Sequence, residues 1–301
     1  MTLSLIVLLC GIGAALIAFA ISASRSIHID PVDPAVPELA VRRSIFRHPR
    51  VERFLRARMD RKTAGGFLLT ISFLILFAVA LALGLLLDAI NDHSWLANAD
   101  KSVAKWGSEH GRSDTVGLLK WTTQLGSTMV ISAALILTAI IDYVRRRSRE
   151  VFLFVAAIGL GQLILANVLK VIVSRNRPPD LQHLVVVHGY SFPSGHATAA
   201  ASVWMAVALV FGRDRPKLVR ALLASAAVLI AVSVAASRAL LGVHWLTDVI
   251  AGLALGWGWF MIVAIIFGGR AQRLGDPVSD QAAGVQSSVA EAERLPDHAV
   301  R

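Results

Sequence analysis

The sequence predicts an all-α integral membrane helical bundle, with a six-span core and one extra N-terminal transmembrane helix. Three observations carry this prediction. The chain of 301 residues is 55% hydrophobic, with a mean hydropathy of +0.64, which is more apolar than an ordinary soluble domain. Its apolar residues fall into repeated runs long enough to cross a bilayer. Its net charge of +10 is concentrated in loops beside those runs, which is typical of positive-inside topology rather than of nucleic-acid binding.

Seven apolar segments are predicted to span the membrane. They cover residues 3–22, 67–88, 125–143, 151–173, 196–212, 221–240 and 245–267. The chain is therefore divided into an N-terminal transmembrane anchor (1–23), a basic cytoplasmic linker (24–66), a six-helix domain (67–269) and a disordered cytoplasmic tail (270–301). The single cysteine, Cys10, excludes a disulfide within the chain and a cysteine-rich metal site.

The first segment has two interpretations. Ala18-Phe19-Ala20 resembles a signal-peptide cleavage site, but the stretch from Met1 to Ser4 lacks the basic residues of a signal peptide. Positive charges follow the segment instead, so a retained anchor is the favoured interpretation. The linker after it is either a topology determinant or a surface for anionic lipid headgroups.

The charge of the loops predicts the orientation of the domain. Lys and Arg residues cluster in 24–66, 144–150, 213–220 and the tail, and these segments share one face if all seven segments span. The positive-inside rule makes that face cytoplasmic. The intervening loops then face the periplasm or cell exterior. The longest of them, 89–124, carries Trp95, Trp106 and Trp121, which predicts short helices on the outer leaflet, as interfacial anchors or as a lipid-entry gate.

The tetrapeptide Pro193-Ser194-Gly195-His196 ends an outward loop and begins an apolar segment. A helix N-terminus offers free backbone N–H groups and a positive dipole end, which together bind anions. Gly195 permits close approach to the backbone, and Ser194 can cap the helix or donate to a phosphate oxygen. His196 would then lie beside the bound anion. An ordinary serine cap with an incidental histidine is the alternative.

His244 and Asp248 form a second candidate pair. Their spacing of four residues predicts that both side chains share one helical face. The carboxylate can then orient the imidazole and leave its other nitrogen free to attack, as in a catalytic triad. A self-satisfied structural pair is the alternative, although Asp248 lies inside an apolar segment, where a charge is costly.

Three cations border the same outward loops. Lys170, Arg177 and Arg238 could each be an interfacial anchor whose charged head reaches the water. Together with two histidines on one predicted face, they are better explained as ligands of a phosphate dianion. Arg175, His188 and Tyr190 are near these motifs but outside them.

The three motifs resemble the signature of the type 2 phosphatidic acid phosphatase superfamily, a group related to vanadate haloperoxidases. That signature reads K-x6-RP, PSGH and SR-x5-H-x3-D, and this chain has KVIVSRNRP, PSGH and SRALLGVHWLTD in the same order. The resemblance covers about residues 67–267 and leaves the first segment and the linker unexplained.

The resemblance implies a metal-independent lipid phosphatase with six core helices and no cofactor. His244 corresponds to the nucleophile that forms a phosphohistidine, Asp248 to its orienting partner and His196 to the general acid. The phosphate cradle corresponds to Lys170, Arg177, Ser194, Gly195 and Arg238.

The resulting hypothesis is a multi-pass cell-membrane enzyme that acts on a lipid phosphate or diphosphate at its outer face. The substrate could be polyprenyl diphosphate, phosphatidic acid or phosphatidylglycerophosphate, and family resemblance alone favours the first. The partners expected are the lipid phosphate and membrane lipids, with no nucleic acid. Two alternatives stay open: transfer of the phosphoryl group to another lipid or sugar, and a non-catalytic protein that binds lipid headgroups.

Overall fold

The computed structural model describes residues 11–16, 19, 95–111, 113–179 and 187–271. Within these ranges every regular element is a helix, and the expected all-α membrane bundle is confirmed. The seven longer helices are α1 (Trp95–Glu109), α2 (Ser113–Gln124), α3 (Thr128–Arg146), α4 (Glu150–Val173), α5 (Gly195–Gly212), α6 (Lys217–Leu240) and α7 (Leu246–Ala271).

Five of these helices, α3 to α7, are long and apolar enough to cross a membrane, the last of them over Leu246–Phe267. The corresponding predicted segments agree with them to within about four residues. The predicted segment 67–88 and the linker 24–66 lie outside the described residues. So do nearly all of the tail 270–301 and most of the anchor 1–23, of which residues 11–16 and 19 are helical.

Helix α5 is the centre of the bundle. It packs against α3, α4, α6 and α7, and 72% of the residues in Gly195–Gly212 are buried inside the bundle. Small residues allow the close approach: a Cβ added at Gly252 of α7 would lie 2.7 Å from the Ser194 carbonyl oxygen, and one at Gly256 would collide with the Thr198 carbonyl. Small residues at helix contacts are the usual means of tight packing in membranes. The start of α5 is therefore held directly against the start of α7.

The predicted short helices in the loop 89–124 are confirmed as α1 and α2. Trp95 and Trp121 are 75% and 78% exposed, whereas Trp106 stacks on His110 with ring centroids 4.5 Å apart. α1 and α2 both contact α6, and α1 also contacts α7. α1 thus lies against the end of the bundle where α6 ends and α7 begins.

The opposite end of the bundle carries a separate group of charges. Arg146 at the end of α3 pairs with Asp142 at 3.1 Å and with Asp214 at 2.8 Å, and Arg213 lies 3.9 Å from Asp142. These residues belong to the predicted cytoplasmic face. The basic loops 144–150 and 213–220 are consequently at the opposite end of α3 to α7 from the three motifs.

Candidate active site

The three sequence motifs meet at one end of the bundle, where α4 and α6 end and α5 and α7 begin. His244 faces Asp248 there. The other histidine lies within electrostatic range of four further candidate residues. These neighbours of His196 are His244, Arg238, Lys170 and Arg177. Residues up to 78 positions apart in the sequence therefore form one cluster on one face of the domain.

His244 is buried, with 2% of its surface exposed. Its Nε2 atom lies 3.3 Å from Arg177 Nη1. A guanidinium can only donate hydrogen bonds, so Nε2 accepts and carries the ring's lone pair. The ring proton is assigned to Nδ1 on this basis. The nitrogen that can attack therefore points toward the cations.

The contact between His244 and Asp248 differs from the sequence prediction. His244 precedes α7, which begins at Leu246, so the two side chains meet across the first turn rather than along a helical face. Nδ1 lies 3.5 Å from Asp248 Oδ2, which is longer than an ordinary hydrogen bond. Nδ1 has no hydrogen-bond partner within the described part of the chain. The carboxylate acts on the ring as a nearby charge.

The surroundings of His244 favour its neutral form. Burial lowers the pKa of His244 from its ordinary 6.5 to about 4, because the imidazolium loses its hydration. The positive charges of Arg238 and Arg177 act in the same direction, while Asp248 opposes them. His244 is therefore unprotonated near neutral pH, as a nucleophile requires.

Asp248 is fully buried and firmly held. Its Oδ2 accepts from the Trp245 backbone N–H at 2.9 Å, and its Oδ1 accepts from Arg175 at 2.6 Å. The first bond is half of a capping box, because the third residue of α7 reaches back to the residue before the helix. Asp248 is thus fixed by the same turn that presents His244.

The start of α5 completes the site. The Ser194 N–H donates to the Asp248 carbonyl at 3.0 Å, which joins the second motif to the third. Ser194 occupies the N-cap position, but its side chain makes no capping bond, so the predicted cap is wrong. Its Oγ is buried without a hydrogen-bond partner in the described residues. A Cβ added at Gly195 would lie 3.7 Å from Lys170 Nζ, so this amine faces the helix start.

Arg177 and Arg238 are held differently. Arg177 donates to the carbonyls of Val243, Gly189 and His188 at 2.6, 2.8 and 3.3 Å. Burial lowers its pKa and the Asp248 charge opposes the shift, yet a guanidinium stays charged at neutral pH. Arg238 is only 6% exposed, and its Nε has no partner within the described ranges.

The donor set of the site suits an anion. Three cations, a free serine hydroxyl and the N-terminus of α5 surround the two imidazoles, while the carboxylate of Asp248 is already occupied by donors. Preorganised donors of this kind hold phosphate oxygens. In the described ranges, no group of three or more His, Cys, Asp or Glu side chains could hold a metal ion.

An apolar groove leads away from the site between α3, α4 and α5. It has a volume of about 730 Å³, and Lys170, Gly195 and His196 line one end of it. Apolar residues such as Leu163 and Ile136 line its length, and Phe152 lies near the other end. The groove therefore joins the charged cluster to the lipid-facing surface of the bundle.

Three residues of the site were not identified from the sequence motifs. Arg175, which the sequence placed only near the site, donates to Asp248. Asp100 of α1 accepts from Arg175 at 2.8 Å and from the Thr247 backbone N–H at 2.9 Å. In the sequence, Arg175 lies between the motif residues Lys170 and Arg177, and this position could have identified it as part of the site. Thr247 had the same signal, since it lies between His244 and Asp248, but Asp100 had none, because its contact with Thr247 joins residues 147 positions apart.

Helices long and apolar enough to cross a membrane, with two histidines and three cations clustered at one end of the bundle, define a class of integral membrane proteins whose site suits an anion. Residues 150–271 match the family model described as PAP2 superfamily. The chain is also 34% identical over 143 residues to phosphatidylglycerophosphatase B of Bacillus subtilis, covering 47% of this chain and 70% of that protein. The chain belongs to the PAP2 superfamily, and the resemblance of its motifs is confirmed.

Two further comparisons agree with this assignment. A lipid A 1-phosphatase of Rhizobium etli is 34% identical over 126 residues, which is 38% of this chain and about half (49%) of the relative. A crystal structure of a transmembrane PAP2-type phosphatidylglycerolphosphate phosphatase from Bacillus subtilis superposes with a TM-score of 0.59. Its identity is 27%, and the match covers 67% of this chain and 98% of that one. These relatives are all named as phosphatases, the enzyme class expected from the motifs.

Proposed function

We propose that the protein is a metal-independent membrane phosphatase that hydrolyses a lipid phosphate or diphosphate through a phosphohistidine intermediate. The observation that carries the proposal is the continuity of the apolar groove with the two-histidine cluster. Lys170 and His196 line both. A ligand with a phosphate head and a long apolar tail fits this arrangement, with the head among the cations.

In the first step, Nε2 of His244 attacks phosphorus while the bond to the leaving oxygen breaks. His196 gives a proton to that oxygen, and the lipid alcohol or lipid monophosphate departs. Asp248 stabilises the positive ring that results, as the aspartate of a catalytic triad does. Dividing the displacement in this way replaces one difficult step by two easier ones.

In the second step, His196 accepts a proton from water, whose oxygen attacks phosphorus. The phosphorus–nitrogen bond breaks, and inorganic phosphate and neutral His244 are regenerated. Phosphoryl transfer depends mainly on positioning and charge stabilisation. The candidates for that stabilisation are Lys170, Arg177, Arg238, Ser194 and the N–H groups around Gly195; of these, Arg177 is already held by backbone carbonyls.

The length of the groove can be compared with the length of a lipid tail. From Lys170 to Phe152 it follows α4 for about 27 Å at 1.5 Å per residue, close to the roughly 30 Å thickness of the hydrocarbon core. Either an acyl chain or part of a polyprenyl chain could lie along such a groove, so its length does not select between them. The relatives named for phosphatidylglycerophosphate and lipid A add those two lipids to the candidates, together with phosphatidic acid. We place the site at the outer face, since the basic loops lie at the other end.

Purified protein in detergent, assayed for phosphate release with EDTA present, tests the proposal. The panel contains polyprenyl diphosphate, phosphatidylglycerophosphate, phosphatidic acid and lipid A phosphorylated at position 1. At least one lipid should release phosphate at a rate that EDTA leaves unchanged. Phosphate that appears only on an added lipid or sugar acceptor would indicate a phosphotransferase. Binding of the whole panel without turnover would indicate a headgroup-binding protein.

The groove predicts that a bulky side chain at Leu163 will affect long substrates selectively. Leu163 lines the groove and its neighbour Ile164 does not, while both side chains are exposed, at 45% and 60%. We expect Leu163→Trp to lower kcat/KM for a long-chain lipid phosphate by at least about tenfold, since a misplaced substrate loses that much. A water-soluble short-chain phosphate ester should be hydrolysed at the wild-type rate.

Ile164→Trp is the matched control, since it adds the same ring one residue away on the lipid-facing surface. Equal effects of the two substitutions on both substrates would contradict the placement of the lipid tail. A selective loss in Leu163→Trp alone would support it.

The pKa of His244 predicts the acid limb of the pH profile. His244 must be neutral to attack, and its pKa is about 4. Activity is therefore fully present above that value and lost as the pH falls through about 4. In a plot of kcat/KM against pH, the limb should lie well below 6.5, the value for an unperturbed histidine. A limb near 6.5, with chemistry rate-limiting, would contradict the assignment of His244.

The alkaline limb of the pH profile should report loss of the proton from the general acid, His196. His196 must carry a proton to protonate the leaving oxygen, so activity should fall again on the alkaline side and the profile should be bell-shaped. The alkaline limb should disappear in His196→Gln, while the acid limb near 4 persists.

A further inference from the structure

A chain of buried charges connects α1 with the His244 pair. Asp100 of α1 is 2% exposed and pairs with Arg175 at 2.8 Å. Arg175 in turn pairs with Asp248 at 2.6 Å, and Asp248 faces His244. We propose that Asp100, acting through Arg175, is a positioning residue that holds Asp248 in place and sets the charge felt by His244. This inference rests on the proposed role of His244 as nucleophile.

Asp100 first supplies the cap that α7 lacks. The residue before α7 is Trp245, whose side chain cannot accept a bond from the free N–H groups of the first turn. Asp100 accepts from the Thr247 backbone N–H at 2.9 Å and from its hydroxyl at 2.7 Å. A carboxylate from another helix thus performs the work of an N-cap side chain. The turn that it fixes is the one that carries Asp248 and follows His244.

Arg175 is held at a fixed place between the two carboxylates. Its Nη1 donates to Asp248 and to the Thr247 hydroxyl at 2.8 Å, and its Nη2 donates to Asp100. The guanidinium also lies over the Trp245 ring, 5.5 Å from the centroid. Only 16% of its side chain is exposed, so solvent screens these charges weakly.

The arrangement has an electrostatic consequence for His244. Arg175 pairs with two carboxylates, so its positive charge offsets only part of the negative charge of Asp248. Asp248 therefore stabilises the protonated imidazole of His244 more than it would if Arg175 paired with Asp248 alone. The other charges facing the ring are the cations of the phosphate cradle and the second histidine. Arg177 and Arg238 act on the His244 ring directly, His196 interacts with His244, and Lys170 acts on His196. Asp100 and Asp248 are consequently the negative groups that balance a predominantly positive site.

Two substitutions should move the acid limb of kcat/KM in opposite directions. Arg175→Gln removes a positive charge, which favours the imidazolium, and should shift the limb upward by about one pH unit. Asp100→Asn removes a negative charge, which disfavours the imidazolium, and should shift the limb downward. The double variant should return toward the wild-type position. A residue with a purely structural role would lower the yield of folded protein without opposite shifts.

The rate gives a second measurement. Asp100→Asn should lower kcat by about 10- to 100-fold, the usual effect of losing an outer partner of a reacting group, with little change in KM. Glu109→Gln is the matched control, because Glu109 is an acid of the same helix that pairs with Lys105 at 3.7 Å on the surface. It should leave rate and pH profile unchanged.

The outcomes separate this inference from the proposed function. If wild-type protein releases phosphate but the acid limb of Arg175→Gln coincides with the wild-type limb, the inference is wrong and the proposed function is unaffected. If the wild type releases no phosphate from any lipid in the panel, the proposed function itself fails. Thermal unfolding of each variant, compared with that of Glu109→Gln, identifies any loss of activity that comes from misfolding.

Discussion

Replacing His244 with alanine is expected to abolish turnover, with kcat lower by about 10⁴- to 10⁶-fold, the range seen when a covalent nucleophile is removed. The physical reason is that, in the proposed mechanism, the attacking atom is Nε2 of His244, which lies 3.3 Å from Arg177 Nη1 among the cations. A water molecule that replaced the imidazole as nucleophile would not be held in a fixed position for attack on phosphorus. The measurement is phosphate release from the best lipid of the panel.

His110→Ala serves as the control for this variant. His110 is an exposed histidine that stacks on Trp106, away from the cluster, and its replacement should leave kcat unchanged. Folding of both variants is compared by thermal unfolding in the same detergent. Turnover by a folded His244→Ala protein within tenfold of the wild type would contradict the role of His244.

Replacing His196 with glutamine is expected to lower kcat by about 10²- to 10⁴-fold for an alkyl phosphate, the usual contribution of a general acid. The alkoxide leaving group needs a proton, and His196 lies within electrostatic range of the nucleophile to supply it. An aryl phosphate such as p-nitrophenyl phosphate leaves as a stable phenolate. For both esters the comparison is made on kcat/KM, which reports the first displacement alone, and the value for the aryl ester should fall much less in the same variant.

The ratio of the two rate losses is the decisive quantity, since it does not depend on how much of the variant is folded. A large loss for the alkyl ester with a small loss for the aryl ester supports proton donation by His196. Equal losses for both esters would instead show that His196 only holds the phosphate.

Hydropathy and motif spacing could predict the elements that position the site. Apolar runs mark α3 to α7 because a bilayer demands long apolar helices. The alternation of basic loops placed the motifs at one end of the bundle. A signature of three parts in order then indicated that Lys170, His196 and His244 converge, and the structure brings them together.

Sequence patterns could not predict the contacts that depend on tertiary packing. Asp100 lies beside Lys101 in an amphipathic helix, so it resembles a surface charge until α1 packs against α7. The Ser194 hydroxyl makes no cap, and the Ser194 N–H instead donates to the Asp248 carbonyl, a contact between distant motifs. The separation of His244 and Asp248 follows from where α7 begins, and helix ends are the least predictable feature of a pattern.

The most direct test of the account is to trap the intermediate. Wild-type protein is mixed with a ³²P-labelled lipid phosphate, quenched in alkali within one turnover, and digested for mass spectrometry. We expect an acid-labile, alkali-stable phosphate on His244, and greater accumulation in His196→Gln when an aryl phosphate is the substrate, because water attack is then unassisted. Phosphate on a different residue, or rapid turnover in which His244 never carries label, would contradict the account.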